Sequence, residues 1–120
     1  MANILIVDDS ASMRNMVSAT IKSAGHQVTD AADGQDGLNK AKAGKFDVVV
    51  TDLNMPIMNG IELVRNLRSL PNYKYTPILL LTTESSMDKK MEGKQAGATG
   101  WLVKPFNPDK LLATIAKVLG

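Results

Sequence analysis

The chain has 120 residues, of which 44% are hydrophobic and 22% charged, the balance of one globular domain spanning 1–120 with a single substantial core. It has no cysteine, which excludes disulfides and thiolate metal sites. Its net charge of +2 is too small to argue for a nucleic-acid partner, and no apolar run approaches the roughly 20 residues that cross a bilayer.

In chain order, the first element is a short apolar run, Ile4 to Val7, that ends in Asp8 and Asp9. A helix follows, beginning at Ser10 or Ala11, with Met13, Val17, Thr20, Ile21 and Ala24 at three- and four-residue spacing and Gly25 as a stop. The acidic doublet also argues against a secretory leader, since it interrupts the only early apolar run and no basic start precedes it. Val28 to Ala31 predicts a second strand, Asp33–Gly34 a turn and helix start, and Gly34 to Ala43 a helix ended by Gly44. His26 reads as a turn or strand-edge residue, because no second ligand stands at metal spacing.

The run "DVVVTD" predicts a strand over Val48 to Thr51 that ends at Asp52. Ile61, Leu63, Val64 and Leu67 then mark a helix that stops before Pro71. Ile78 to Thr82 reads as a strand ending at Thr82 and Thr83. The helix after it, from about Ser86 to Gln95, has a weak signal, since Gly93 costs about 1 kcal/mol relative to alanine. Gly100 to Val103 predicts the last strand, ending at Lys104 and Pro105. Asn107 and Pro108 open the last helix as N-cap and first helical residue. Met13 and Met16 are expected to fill core gaps, and Met55 and Met58 to pack in the loop after Asp52.

Five near-continuous apolar strands alternating with five helices predict an α/β fold, a doubly wound parallel sheet covered on both faces. Ligands of such sheets lie beyond the carboxyl ends of the strands. Asp8, Asp9, Asp52, Thr82, Thr83 and Lys104 all gather on that edge. Two unit charges about 4 Å apart repel by about 4 kcal/mol at an effective dielectric near 20. Taken alone, Asp9 reads as a turn former or helix cap. The set of three acids points instead to a hard divalent cation, with Lys104 supplying one further positive charge.

The stretches "LIVDDSASMR", "VVVTDLNMPIMNG", "LLLTTES" and "AGATGWLVKPFNP" resemble response-regulator receiver domains of the stand-alone chemotaxis (CheY-like) type, over the whole chain. The resemblance implies a flavodoxin-like (βα)5 fold with strand order 2-1-3-4-5 and a cis Lys104–Pro105 bond. It implies Asp52 as phosphoacceptor, Lys104 and Thr82 as contacts to the phosphoryl group, and Mg2+ as cofactor. The metal would be held by Asp8, Asp9, Asp52 and the backbone carbonyl of Asn54, with Asp8 acting mainly through water. Trp101 falls at the switching aromatic, while Thr83 stands where alanine is common; Asn54 and Glu84 lie where hydrolysis of the phosphoryl group is tuned.

The function implied is a phosphorelay switch, not an enzyme with an external substrate. It would take a phosphoryl group from a sensor histidine kinase and present a changed helix-four, strand-five, helix-five face to an output protein. That output would be a flagellar motor switch protein, the alternative being a phosphate sink. A phosphatase is a further implied partner; nucleic acid and membrane are not, and the setting implied is a cytoplasmic monomer. Lys89, Lys90 and Lys94 around Met91 read as a solvated helix face or as a basic patch for an acidic segment. Trp101 by itself reads as core packing, and only the resemblance makes it a switch. A magnesium phosphohydrolase with an aspartate nucleophile and a flavin carrier are the rival classes; the first loop, "DDSASM", lacks glycine and would repel a flavin phosphate.

Overall fold

The computed structural model describes residues 2–120. Strands β1 (Asn3–Val7), β3 (Val48–Thr51) and β4 (Ile78–Thr82) are buried at every position but Asn3. They form the centre of a parallel sheet ordered β2-β1-β3-β4-β5, with β2 (Gln27–Ala31) and β5 (Gly100–Val103) at the edges. Period-two alternation divides each central strand between two cores. Ile4, Ile6, Val48, Val50, Leu79 and Leu81 face one core, while Leu5, Val7, Val49 and Ile78 face the other. Helices α1 (Ala11–Ser23) and α5 (Pro108–Leu119) close the first core through Val17, Ile21, Leu111 and Ile115. Helices α2 (Gly34–Ala43) and α3 (Gly60–Arg68) close the second through Leu38, Leu63, Val64 and Leu67. Helix α4 (Met87–Ala96) packs beside α3 and buries only Gly93.

The predicted α/β class and strand order hold. Two details of the expected pattern do not. The edge strand β2 has Gln27, Thr29 and Asp30 exposed, because an edge position buries less than a central one. Met16 is 55% exposed on α1 and fills no core gap, although Met13 packs against the first core.

Every α-helix begins with a side-chain cap at the sheet's carboxyl edge. Ser10, Asp33, Asn59, Ser86 and Asn107 each accept a hydrogen bond from the backbone N–H three residues on, worth about 1 kcal/mol apiece. Asn59 and Glu62 form a reciprocal capping box. Only α1 lacks an acid in its first turn. Asp8 and Asp9, just ahead of its positive end, take that place.

The loop from Leu53 to Asn59 is strapped down at both ends. Gly60 donates its N–H to Leu53 O at 2.8 Å, and a Cβ on Gly60 would collide with the Asp52 carbonyl. Gly34 likewise leaves no room for a Cβ beneath Met58 O. Between these anchors, Met58 N–H donates to Pro56 O at 2.7 Å, closing a three-residue γ-turn. Ile57, at its centre, has φ +72°.

A short 3-10 turn at Pro71–Tyr73, absent from the sequence reading, seats Tyr73 in the second core. Its hydroxyl lies 2.6 Å from Ala41 O and 3.0 Å from Gly44 O, so it closes the C-terminal end of α2. Tyr73→Phe removes the donor and leaves the buried Ala41 carbonyl without it. We expect a loss of about 1–2 kcal/mol, seen as a fall in Tm of roughly 5 °C. An unchanged Tm would show that the bond contributes nothing net.

Candidate phosphoryl-transfer and metal site

The winding sense of the sheet reverses between β1 and β3, so a cleft opens beyond their carboxyl ends. Asp8 and Asp9 leave β1 at that cleft, and Asp52 leaves β3 beside them. One carboxylate oxygen from each of the three lies within 4.8 Å of the others. From the far side of β4, Lys104 reaches in at the end of β5. Its Nζ lies 2.7 Å from Asp8 Oδ2 and 3.2 Å from Asp52 Oδ2. The Lys104 N–H donates to Thr82 O, which fixes where β5 delivers the side chain. The Lys104–Pro105 bond is cis, as the resemblance implies.

Each acid has a different environment. Asp8 is 4% exposed. Its Oδ1 accepts the Ser10 N–H at 2.9 Å, and its carbonyl accepts Arg14 Nη1 at 2.8 Å. Arg14 is itself braced against Asp30 at 3.1 Å. Asp52 has an 11% exposed side chain, and its Oδ1 accepts the Leu53 N–H at 2.7 Å. Asp9 is exposed and has no hydrogen-bond or ion-pair partner among the described residues. One ammonium against three carboxylates leaves two negative charges unbalanced. A divalent cation with an oxygen preference fits that donor set, and Mg2+ is the hard ion that favours few carboxylates with open positions for water and phosphate oxygens.

Burial pulls the Lys104 ammonium down, but its ion pairs with Asp8 and Asp52 outweigh this and hold it above its ordinary value.

Thr82, Glu84 and Trp101 form a chain of contacts. Thr82 is fully buried, and its hydroxyl oxygen accepts the Glu84 N–H at 3.2 Å. The Glu84 carbonyl accepts Trp101 Nε1–H at 2.9 Å. Glu84 Oε2 accepts the Ser86 N–H, ahead of α4. Thr83 and Asn54 are exposed. Trp101 is half-buried, and a Cβ on Gly93 would come within 2.9 Å of its ring. The glycine that weakens the α4 signal in sequence is thus the seat of the indole. Lys89 pairs with Glu92 at 3.3 Å. Lys90 and Lys94 line a cavity of about 330 Å³ beside Trp101, and Lys117 borders another of about 440 Å³ on the α5 side of the same ring.

The sequence brought out the three acids, Lys104, Thr82 and Trp101. It did not bring out Arg14, whose role depends on where β2 places Asp30, nor the Glu84 peptide, whose role is carried by backbone atoms. His26 is no ligand candidate: its Nδ1 accepts the Ala2 N–H at 3.1 Å.

Residues 4–116 match the response regulator receiver domain family, and the chain belongs to that family. It is similar to the chemotaxis protein CheY-3 of Vibrio cholerae, 41% identical over 116 residues that cover 96% of this chain and 89% of that protein. The structure of CheY4 of Vibrio cholerae superposes with a TM-score of 0.95 at 57% identity, covering 98% of each chain. The receiver domain of a sensor histidine kinase from Pseudomonas aeruginosa, with a magnesium ion coordinated in its active-site cleft, gives a TM-score of 0.92 at 28% identity, over 99% of this chain and 98% of that one. The chain is therefore a two-component signalling protein of the chemotaxis type, with a phosphorelay receiver's fold.

The raised Lys104 value gives a signed pH dependence. Stability from its ion pairs is complete below the ordinary value of 10.5 and is lost as pH climbs through the higher folded-state value. Lys104→Met should be less stable than the unaltered protein at about pH 8, and the gap in denaturant midpoint should close above about pH 10.5. A gap that stays constant across that range would refute the pairing.

Proposed function

We propose that Asp52 accepts a phosphoryl group from a phosphohistidine on a partner sensor kinase. The observation carrying this reading is the convergence of Asp8, Asp9, Asp52 and Lys104 at the sheet's switch point. In the transfer, a carboxylate oxygen of Asp52 forms a bond to phosphorus as the phosphorus–nitrogen bond breaks. The imidazole leaves with that electron pair.

Asp8, Asp9 and Asp52, with the Asn54 carbonyl, would hold Mg2+, and Asp8 would act mainly through water. Once bound, the ion would offset charge on the phosphoryl oxygens. Lys104, 3.2 Å from Asp52 Oδ2, is near enough to follow that charge onto a phosphoryl oxygen. The Thr82 oxygen accepts from Glu84 N–H, which leaves its own proton free to donate to the phosphoryl group. Water is the second acceptor in the reset step, and Asn54 and Glu84 stand where they would order or exclude it.

Phosphorylation adds about two negative charges at Asp52. Movement of Thr82 toward them would disturb the Glu84 peptide, and through its carbonyl the indole of Trp101. The face of α4, β5 and α5 changes with the indole. That face carries Lys90, Lys94 and Lys117 around apolar hollows, which suits an acidic, partly apolar segment of an output protein. We assign that partner to the flagellar motor switch, with the protein acting as a cytoplasmic monomer. No helix among the described residues is long and apolar enough to cross a membrane. The phosphoryl group biases an existing equilibrium, and a partner that prefers the active face pushes it the same way.

Incubation with Mg2+ and acetyl phosphate, read by intact mass, tests the reading. The expected gain is about 80 Da, one phosphoryl group, absent in Asp52→Asn and retained in Asp88→Asn. A gain that survives Asp52→Asn would place the acceptor elsewhere.

A further inference from the structure

Ile57 is the only residue other than glycine with positive φ among the described residues, and its side chain is 79% exposed. An exposed isoleucine by itself is ordinary. An exposed isoleucine held at positive φ is not. A β-branched residue fits the left-handed region poorly, and glycine or asparagine would make the same γ-turn with less strain. The core offers no compensation, because the side chain is not in it. Its neighbours divide the work: Met55 and Met58 pack against the second core, while Pro56 and Ile57 face outward.

The turn is held in place relative to the phosphoacceptor. Gly60 abuts the Asp52 carbonyl, and Met58 O rests on Gly34. Ile57 is therefore a fixed apolar knob five residues from Asp52. A small phosphodonor reaches Asp52 without touching it. A macromolecule that brings phosphorus against Asp52 must rest on the loops around the cleft, of which this is one.

We infer that Ile57 is a docking residue for the domain that carries the phosphohistidine, meeting an apolar side chain beside that histidine. It acts on encounter with the donor and takes no part in the chemistry at Asp52. The inference rests on the phosphoacceptor reading above.

The test compares two donors on the unaltered protein and on Ile57→Gly, Ile57→Asn and Ile57→Val, with thermal melts to confirm folding. One donor is acetyl phosphate. The other is a purified phosphohistidine domain of a chemotaxis kinase, chosen because the unaltered protein discharges it. With the domain, Ile57→Gly and Ile57→Asn should lose about tenfold in kcat/KM, mainly through KM, and Ile57→Val should stay within about twofold of the unaltered protein. With acetyl phosphate, all should stay within about twofold of it. Equal losses with both donors, or no loss with either, would overturn the inference and leave the phosphoacceptor reading standing. Failure of the unaltered protein to take a phosphoryl group from acetyl phosphate would overturn both.

Discussion

Three carboxylates crowded at one edge of a parallel sheet repel one another, and the rest of the molecule is arranged around containing that repulsion. At the separations found here, the two sheltered acids, Asp8 and Asp52, repel by a few kcal/mol at an effective dielectric near 20, and exposed Asp9, screened by water, adds less. The protein answers with one ammonium, with backbone N–H groups from Ser10 and Leu53 on two of the acids, and with the positive end of α1. The compensation is incomplete, and it leaves a net negative set of oxygen donors at the edge, the charge balance that suits a cation. A fully neutralised cluster would be a stable structural network with no affinity for a further ion.

The fold delivers these groups because parallel strands all end on the same side. Order 2-1-3-4-5 puts β1 and β3 next to each other at the centre, so acids far apart in sequence become neighbours. Glycines then do positional work: Gly60 and Gly34 hold the loop after Asp52 down, and Gly93 seats the indole of Trp101. Glu84 links two side chains through its backbone, its N–H facing Thr82 and its carbonyl facing Trp101. The two groups belong to adjacent peptide planes hinged at the Glu84 Cα, so one residue's φ and ψ couple the two contacts.

Much of this was legible in the sequence, for physical reasons. Central strands are apolar at every position because both faces are buried, so Val48 to Thr51 and Ile78 to Thr82 could be placed to the residue. Caps such as Asp33 and Asn107–Pro108 fix helix starts by local chemistry. Charged residues ending such strands pointed to the site. What escaped depends on tertiary placement. Met16 has helical spacing but lies outside the buried stripe. Tyr73 serves a helix end some thirty positions away, and nothing local in Ile57 announces a left-handed backbone.

The central claim is that Asp8, Asp9 and Asp52 share one divalent cation. Calorimetric titration with Mg2+ tests it most directly, comparing the unaltered protein with Asp9→Asn, a change at an exposed, unpaired side chain that leaves the fold intact. The account predicts one site per chain in the unaltered protein and its loss or marked weakening in the variant. An isotherm with no saturable site, or one identical in both proteins, would contradict it.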